Sequence, residues 1–153
     1  MALSSGRDQS NLPVIGEPER AFIGRQRVGR LATADGSSEP HVVPICFALD
    51  ADVVYTPIYR KPKKTLRLKR VRNIEETGRA ALLFDRYDDD WSLLGWVLLR
   101  GSAALLEDGP ELERAVELLR ERYVQYRGMP LREMPVIAVR VEQCARWGNL
   151  RAG

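Results

Sequence analysis

"GRLATADGSSEPHVVPICFALDADVVYTPI", residues 29–58, carries the pattern from which the fold can be read. Residues 29–35 alternate between apolar and polar side chains and run into the turn sequence DGSS. Residues 40–50 place Val43, Ile45 and Phe47 on one parity. Pro44 interrupts this run and cannot donate to a ladder, so the strand belongs at a sheet edge or a bulge. ALDAD then makes a tight turn into VVYTPI. Three strands joined by connections this short must be antiparallel, because parallel neighbours need a crossover of roughly a dozen residues.

The elements on either side fit the same plan. Residues Glu17–Arg27 read as a short helix with Pro18 in its first turn and Ala21, Phe22 and Ile23 as an apolar patch. After residue 58, Leu68, Val71 and Ile74 recur at a spacing of three, the buried stripe of a helix that Pro62 could start and Gly78 closes. RAALLFDRY (79–87) is a buried strand, DDD (88–90) a turn, and WVLLRGSAALLE (96–107) a further strand with Gly101 as a bulge or kink. Asp108, Gly109 and Pro110 open a helix whose Leu112, Ala115, Val116, Leu119, Tyr123 and Tyr126 share one face. PVIAVRVEQ (135–143) is the last strand. The expectation is an α+β protein, mainly β: a six-stranded antiparallel barrel with flanking helices, not a doubly wound sheet.

The chain has 153 residues, enough for one domain with a core, and is 44% hydrophobic and 29% charged. Residues 1–15 are polar and expected to be flexible, leaving 16–153 as one domain. The start lacks the apolar stretch of a secretory signal, and no run approaches a membrane span. Cys46 and Cys144 are far apart and form no C-x-x-C pair. A reducing, cytoplasmic location fits, without disulfide framework or metal site.

The charge is unevenly placed. Arg60, Lys61, Lys63, Lys64, Arg67, Lys69, Arg70 and Arg72 follow one another with no acid between them. The chain holds 24 Lys+Arg and 21 Asp+Glu, so without these eight the balance is 16 against 21, or −5. A mildly acidic protein thus carries one basic device, which points to an anionic ligand. Lysines beside a helix start at Pro62 are unfavourable unless an anion lies between them. A nucleic-acid backbone is a weaker fit, because no aromatic residue interleaves with the charges.

Most self-contained catalytic motifs are missing. No G-x-S-x-G, H-E-x-x-H, P-loop or G-x-G-x-x-G occurs, and His41 is the one histidine. It reads as a surface or packing residue, and Asp85 and Asp88 as members of a solvated turn. Trp91, Trp96 and Trp147 could be core residues, although Trp91 and Trp96 follow the acidic turn and could cover a planar ligand.

Residues 29–74, with WVLLRGSAALLE and the helix and strand after it, resemble the flavin- and deazaflavin-binding split β-barrel superfamily of pyridoxamine 5'-phosphate oxidase-like proteins. The resemblance spans about residues 17–150. RLAT, PHVVPICFALD, KPKKT, RNI and DDDW are most similar to the actinobacterial branch of coenzyme F420-dependent reductases. The resemblance implies a homodimer with a cofactor in each of two interfacial grooves. It implies that Val43 and Pro44 lie along the cofactor ring and that Tyr55 and Thr56 flank its phosphate. Arg60, Lys61, Lys63 and Lys64 would hold that phosphate, with Arg67 and Arg70 further along. Trp96 falls near a polar, ring-contacting position of the oxidases, so their ring hydrogen bond is not implied. CARWGNLRAG lacks the oxidases' C-terminal Arg/His motif, and vitamin B6 oxidation is not implied either.

Flavin mononucleotide (FMN) carries one phosphate monoester, about two charges. Coenzyme F420, an 8-hydroxy-5-deazaflavin with a phosphodiester, a lactate and an oligoglutamate tail, carries several. Eight cations suit the second better. The expected function is therefore an F420-dependent oxidoreductase passing a hydride to a small organic acceptor, with binding and orientation as the protein's part and no catalytic side chain required. Alternatives are an FMN-binding protein on the same fold and a non-catalytic cofactor binder, including a haem-utilisation role. The expected partners are a second copy and a small substrate, with neither nucleic acid nor membrane.

Overall fold

A computed structural model describes residues 12–58 and 68–151. Helix α1 (Glu17–Arg25) is followed by strands β1 (Gly29–Ala34), β2 (Pro40–Ile45), β3 (Ala48–Asp50) and β4 (Val53–Pro57). Then come α2 (Lys69–Thr77), β5 (Arg79–Arg86), β6 (Gly95–Leu106), α3 (Pro110–Arg122) and β7 (Val136–Gly148). One antiparallel sheet contains all seven strands in the order β2-β1-β5-β6-β7-β4-β3. Strands β2 and β3 occupy opposite ends of that order, yet only Cys46 and Phe47 separate them in sequence. Two residues cannot span a flat seven-stranded sheet, so the sheet curls into a half-barrel.

The α+β expectation holds at this level, with four corrections. The expected second strand is two strands, β2 and β3, broken at Cys46–Phe47, which raises six to seven. The helix expected from Pro62 begins at Lys69: Leu68 is extended (φ −62°, ψ 130°) and its carbonyl accepts from Val71 and Arg72 N–H. Pro62 therefore cannot be its first residue, and Pro62 itself lies outside the described residues. The last strand continues through CARWG to Gly148. Tyr123 and Tyr126 lie past the end of α3.

Pro44 is on an end strand, as its missing N–H requires. The register between β6 and β7 shifts at Arg100/Gly101: Arg100 faces Gln143 and Gly101 faces Val141, leaving Glu142 as the extra residue. Gly101 is needed there, since a Cβ would come 1.9 Å from the Arg140 carbonyl oxygen.

The inner face of the half-barrel is closed by Leu31, Phe47, Leu82, Phe84, Val97 and Leu99, each essentially inaccessible. At roughly 1.5–3 kcal/mol per buried large side chain, this layer dominates stability. Helix α2 plugs one mouth with Val71 and Ile74, and its fully buried Asn73 donates from Nδ2 to Thr33 Oγ1 at 3.0 Å. Gly78 ends α2 in the left-handed region, φ 65°. A second cluster forms where α3 lays Leu112, Ala115, Val116 and Leu119 on Ala48, Tyr55 and Ala138. Among the described residues, no helix is long and apolar enough to cross a membrane.

Candidate functional site

Strand β2 presents two faces. Val43 pairs with Leu31, packs against the core and is half-buried; Pro44 pairs with Arg30 and is exposed on the outer face. As an end strand, β2 has no strand partner on its other side among the described residues. A planar ring could lie along such a free backbone edge. His41 shares the inner face with Val43, opposite Thr33, and its Nδ1 is buried without a hydrogen-bond partner among the described residues.

Tyr55 and Thr56 are successive residues of β4 and both are buried. Tyr55 turns toward α3. Burial raises its hydroxyl pKa, and the nearby Glu111 and Asp50 carboxylates raise it further. Glu111 also takes a two-pronged contact from Arg140, at 2.6 and 3.2 Å.

Arg60, Lys61, Lys63, Lys64 and Arg67 lie outside the described residues. The described end of the basic run shows two distinct cations. Lys69 Nζ is 2.9 Å from Asp35 Oδ2, and Asp35 also accepts from the Ser37 and Glu39 N–H groups. The Lys69 hydrogen bond is the main reason the Asp35 carboxyl titrates below its usual range. Arg70, one residue on, has no ion pair or hydrogen bond among the described residues, and its partial burial lowers its pKa.

Trp96 stands on the outer face of β6, directly opposite Trp147 on β7 and Asp85 on β5. Reading across the outer face, Pro44 neighbours Arg30, Arg30 neighbours Leu83, and Leu83 neighbours Leu98. Three strand spacings of about 4.8 Å separate β2 from β6, roughly 14 Å. One copy therefore does not bring Trp96 to Val43 and Pro44. Asp85 is occupied by Arg30 at 2.9 Å, and Asp88 accepts from Asp90 N–H within the turn. Trp91 is 73% exposed.

The structure also assembles groups that the sequence did not point to. A pocket of about 470 Å³ opens between α1, α3 and β3, lined by Arg20, Gly24, Arg27, Phe47, Ala48, Leu49, Leu118, Glu121 and Arg122. It starts just beyond the end of β2, where Phe47 follows the strand. Arg122 lies 4.6 Å over the Phe47 ring and donates to the Gly24 carbonyl (3.1 Å) and the Gln26 carbonyl. Arg27 lies 4.6 Å over Tyr123 and donates to the Arg122 carbonyl at 2.7 Å. Arg122 thus caps the C-terminal end of α1, and Arg27, two residues past that helix, caps the end of α3. Ninety-five positions separate the two, and no sequence motif links them. Trp147 comes opposite Trp96 because the last strand runs past Gln143 to Gly148.

A family model, Pyridoxamine 5'-phosphate oxidase, matches residues 15–148. The chain belongs to that family, whose members bind flavin-like cofactors and include oxidoreductases. Solved structures agree on the fold. The haem storage protein HutZ of Vibrio cholerae is 18% identical, with a TM-score of 0.68 over 86% of this chain and 93% of that one. A conserved hypothetical protein of Mycobacterium tuberculosis is 22% identical, with a TM-score of 0.69 over 90% and 87%. A haem-binding protein of Mycobacterium smegmatis is 18% identical, with a TM-score of 0.69 over 88% and 55%. No curated protein matches the sequence.

Proposed function

We propose that this protein is a coenzyme F420-dependent reductase that works as a homodimer and transfers a hydride to a small organic acceptor. The observation that carries the choice of cofactor is the concentration of charge: eight cations between residues 60 and 72 in a chain otherwise at −5. Their described end supports it. Lys69 is answered by Asp35, whereas Arg70 is half-buried with no anion among the described residues. A half-buried guanidinium is costly without a counter-charge, and a phosphate or glutamate carboxylate would supply one.

In this reading Arg60, Lys61, Lys63, Lys64, Arg67 and Arg70 hold the phosphodiester and acidic tail, while Tyr55 and Thr56, both buried and Tyr55 turned to α3, support β4 and do not touch the phosphate. The free edge of β2 at Val43 and Pro44 aligns the ring. Trp96 of the second copy, with Trp147 next to it, covers the ring and excludes water, because Trp96 cannot reach β2 of its own chain. The reduced coenzyme, when bound, supplies the hydride. The chain's own residues position the two reactants, and the accompanying proton can come from solvent. The pocket past Phe47 adjoins the ring edge and is the place for the acceptor.

The outer sheet face supports the dimer. Val42 is 64% and Trp147 51% exposed there, with Leu83, Leu98 and Trp96 between them only half covered. These apolar side chains, with the Arg30–Asp85 pair among them, make a mixed face of the kind that protein interfaces use.

Cofactor titration of the purified protein tests the reading. Coenzyme F420 is expected to bind more tightly than FMN, with an affinity that falls as salt rises. Changing Lys61, Lys63 and Lys64 together to Ala should weaken that binding strongly and flatten the salt dependence. FMN absorbance in the protein as purified, or unchanged F420 affinity in the triple variant, would overturn the assignment. Haem is the second reading, raised by two of the structural neighbours. It has less support, because His41 is the one imidazole the chain can offer and it is partly buried on β2 opposite Thr33. A hemin titration without a shifted Soret band is the expected result.

A further inference from the structure

We infer that the pocket between α1 and α3 selects an acceptor with a single anionic group on a flat apolar body, an inference that rests on the reductase reading above. Its volume, about 470 Å³, lies in the range of small-molecule sites. Phe47, Ala48, Leu49 and Leu118 give it an apolar wall, and the charged groups gather on the other side.

The charge count sets the ligand's charge. Of the three lining arginines, Arg20 is answered by Asp52 at 3.6 Å and by the Ala51 carbonyl at 2.7 Å. Arg27 and Arg122 have no carboxylate partner among the described residues, and Glu121 is the one acid in the lining. One positive charge is left over, which suits a monoanion such as a carboxylate or sulfonate.

Helix capping explains much of this arrangement, and it has to be weighed first. It accounts well for Arg122, which donates to Gly24, Gln26 and the Tyr123 hydroxyl. It accounts poorly for Arg27, which commits one N–H, to the Arg122 carbonyl. A guanidinium has five donors. Arg27 is exposed, so its other four donors, which have no partner among the described residues, face solvent at the pocket mouth, on a group held over the Tyr123 ring. A fixed, incompletely used guanidinium beside an apolar wall can recognise one anionic group on a planar molecule.

The test uses two dyes sharing one ring system, 1-anilinonaphthalene-8-sulfonate and the uncharged N-phenyl-1-naphthylamine, titrated by fluorescence into the protein without cofactor. The sulfonate is expected to bind at least about tenfold more tightly, as one charge-assisted hydrogen bond allows. Arg27→Ala should erase that preference while changing the neutral dye less than about twofold, and Leu118→Trp, which fills the pocket, should weaken both. Equal affinity of the two dyes, an equal loss of both in Arg27→Ala, or no loss in Leu118→Trp would overturn the inference. Coenzyme F420 titration of the same preparation separates the two readings. Sulfonate selectivity without F420 binding overturns the reductase and leaves the anion pocket standing. F420 binding without selectivity overturns the pocket alone.

Discussion

His41 invites an acid–base role because it is the one histidine and lies beside the strand assigned to the ring. Its surroundings argue otherwise. Nδ1 is buried and makes no hydrogen bond among the described residues, so its removal breaks no polar contact there. His41→Ala is expected to keep turnover within about tenfold, or ~1.4 kcal/mol in the barrier, whereas Trp96→Ala should cost more by opening the ring groove. Steady-state kinetics on both variants decide this. Loss of turnover in His41→Ala with F420 still bound would require a general acid. Asp35 gives a pH prediction. Its carboxyl pKa is lowered in the folded protein, chiefly by Lys69, so it stabilises the fold above its unfolded value of about 3.9. That contribution is lost as pH falls through the lowered folded value. The melting temperature of Asp35→Asn should therefore lie below wild type at neutral pH, with the gap closing in strong acid. A gap independent of pH would show that Asp35 acts through something other than its charge.

At the scale of elements, the best-read segments were those whose pattern and punctuation agree. Helix α3 has Pro110 at its start and a regular apolar stripe, and β1 alternates up to its turn residues. The errors occurred where the cause is not local. The segment from Pro40 to Asp50 looks continuous, and β2 separates from β3 because the chain must cross from one edge of the curled sheet to the other. The start of α2 shifted from Pro62 to Lys69 because Leu68 is extended. A proline permits a helix start without compelling one. Gly101 was legible as an irregularity, though the extra residue, Glu142, is on the facing strand. Gly101→Ala drives a Cβ against the Arg140 carbonyl and should cost about 1–3 kcal/mol or more, measured by denaturant unfolding. A neutral result would mean that the bulge can migrate.

For the whole molecule, the outer face of β2-β1-β5-β6-β7 is the feature with most consequence. Sedimentation at micromolar concentration is expected to show a dimer, and Leu98→Lys, which places a charge mid-face, should give a folded monomer with weakened F420 binding. A monomeric wild type would remove the second copy's Trp96 from the site. The sequence by itself determined the antiparallel α+β class, the restriction of the Pro44 strand to an edge or a bulge, and the isolation of positive charge between residues 60 and 72. These depend on neighbours a few residues apart, where backbone sterics, missing donors and side-chain periodicity act directly. Tertiary structure alone decided that Trp96 faces Trp147, that the Val43–Pro44 strand lies three strands from the first and four from the second, and that Arg27 and Arg122 meet across 95 residues to wall a pocket. Those placements follow from sheet order and curl, which depend on how the whole apolar surface is buried at once, and no local pattern encodes them.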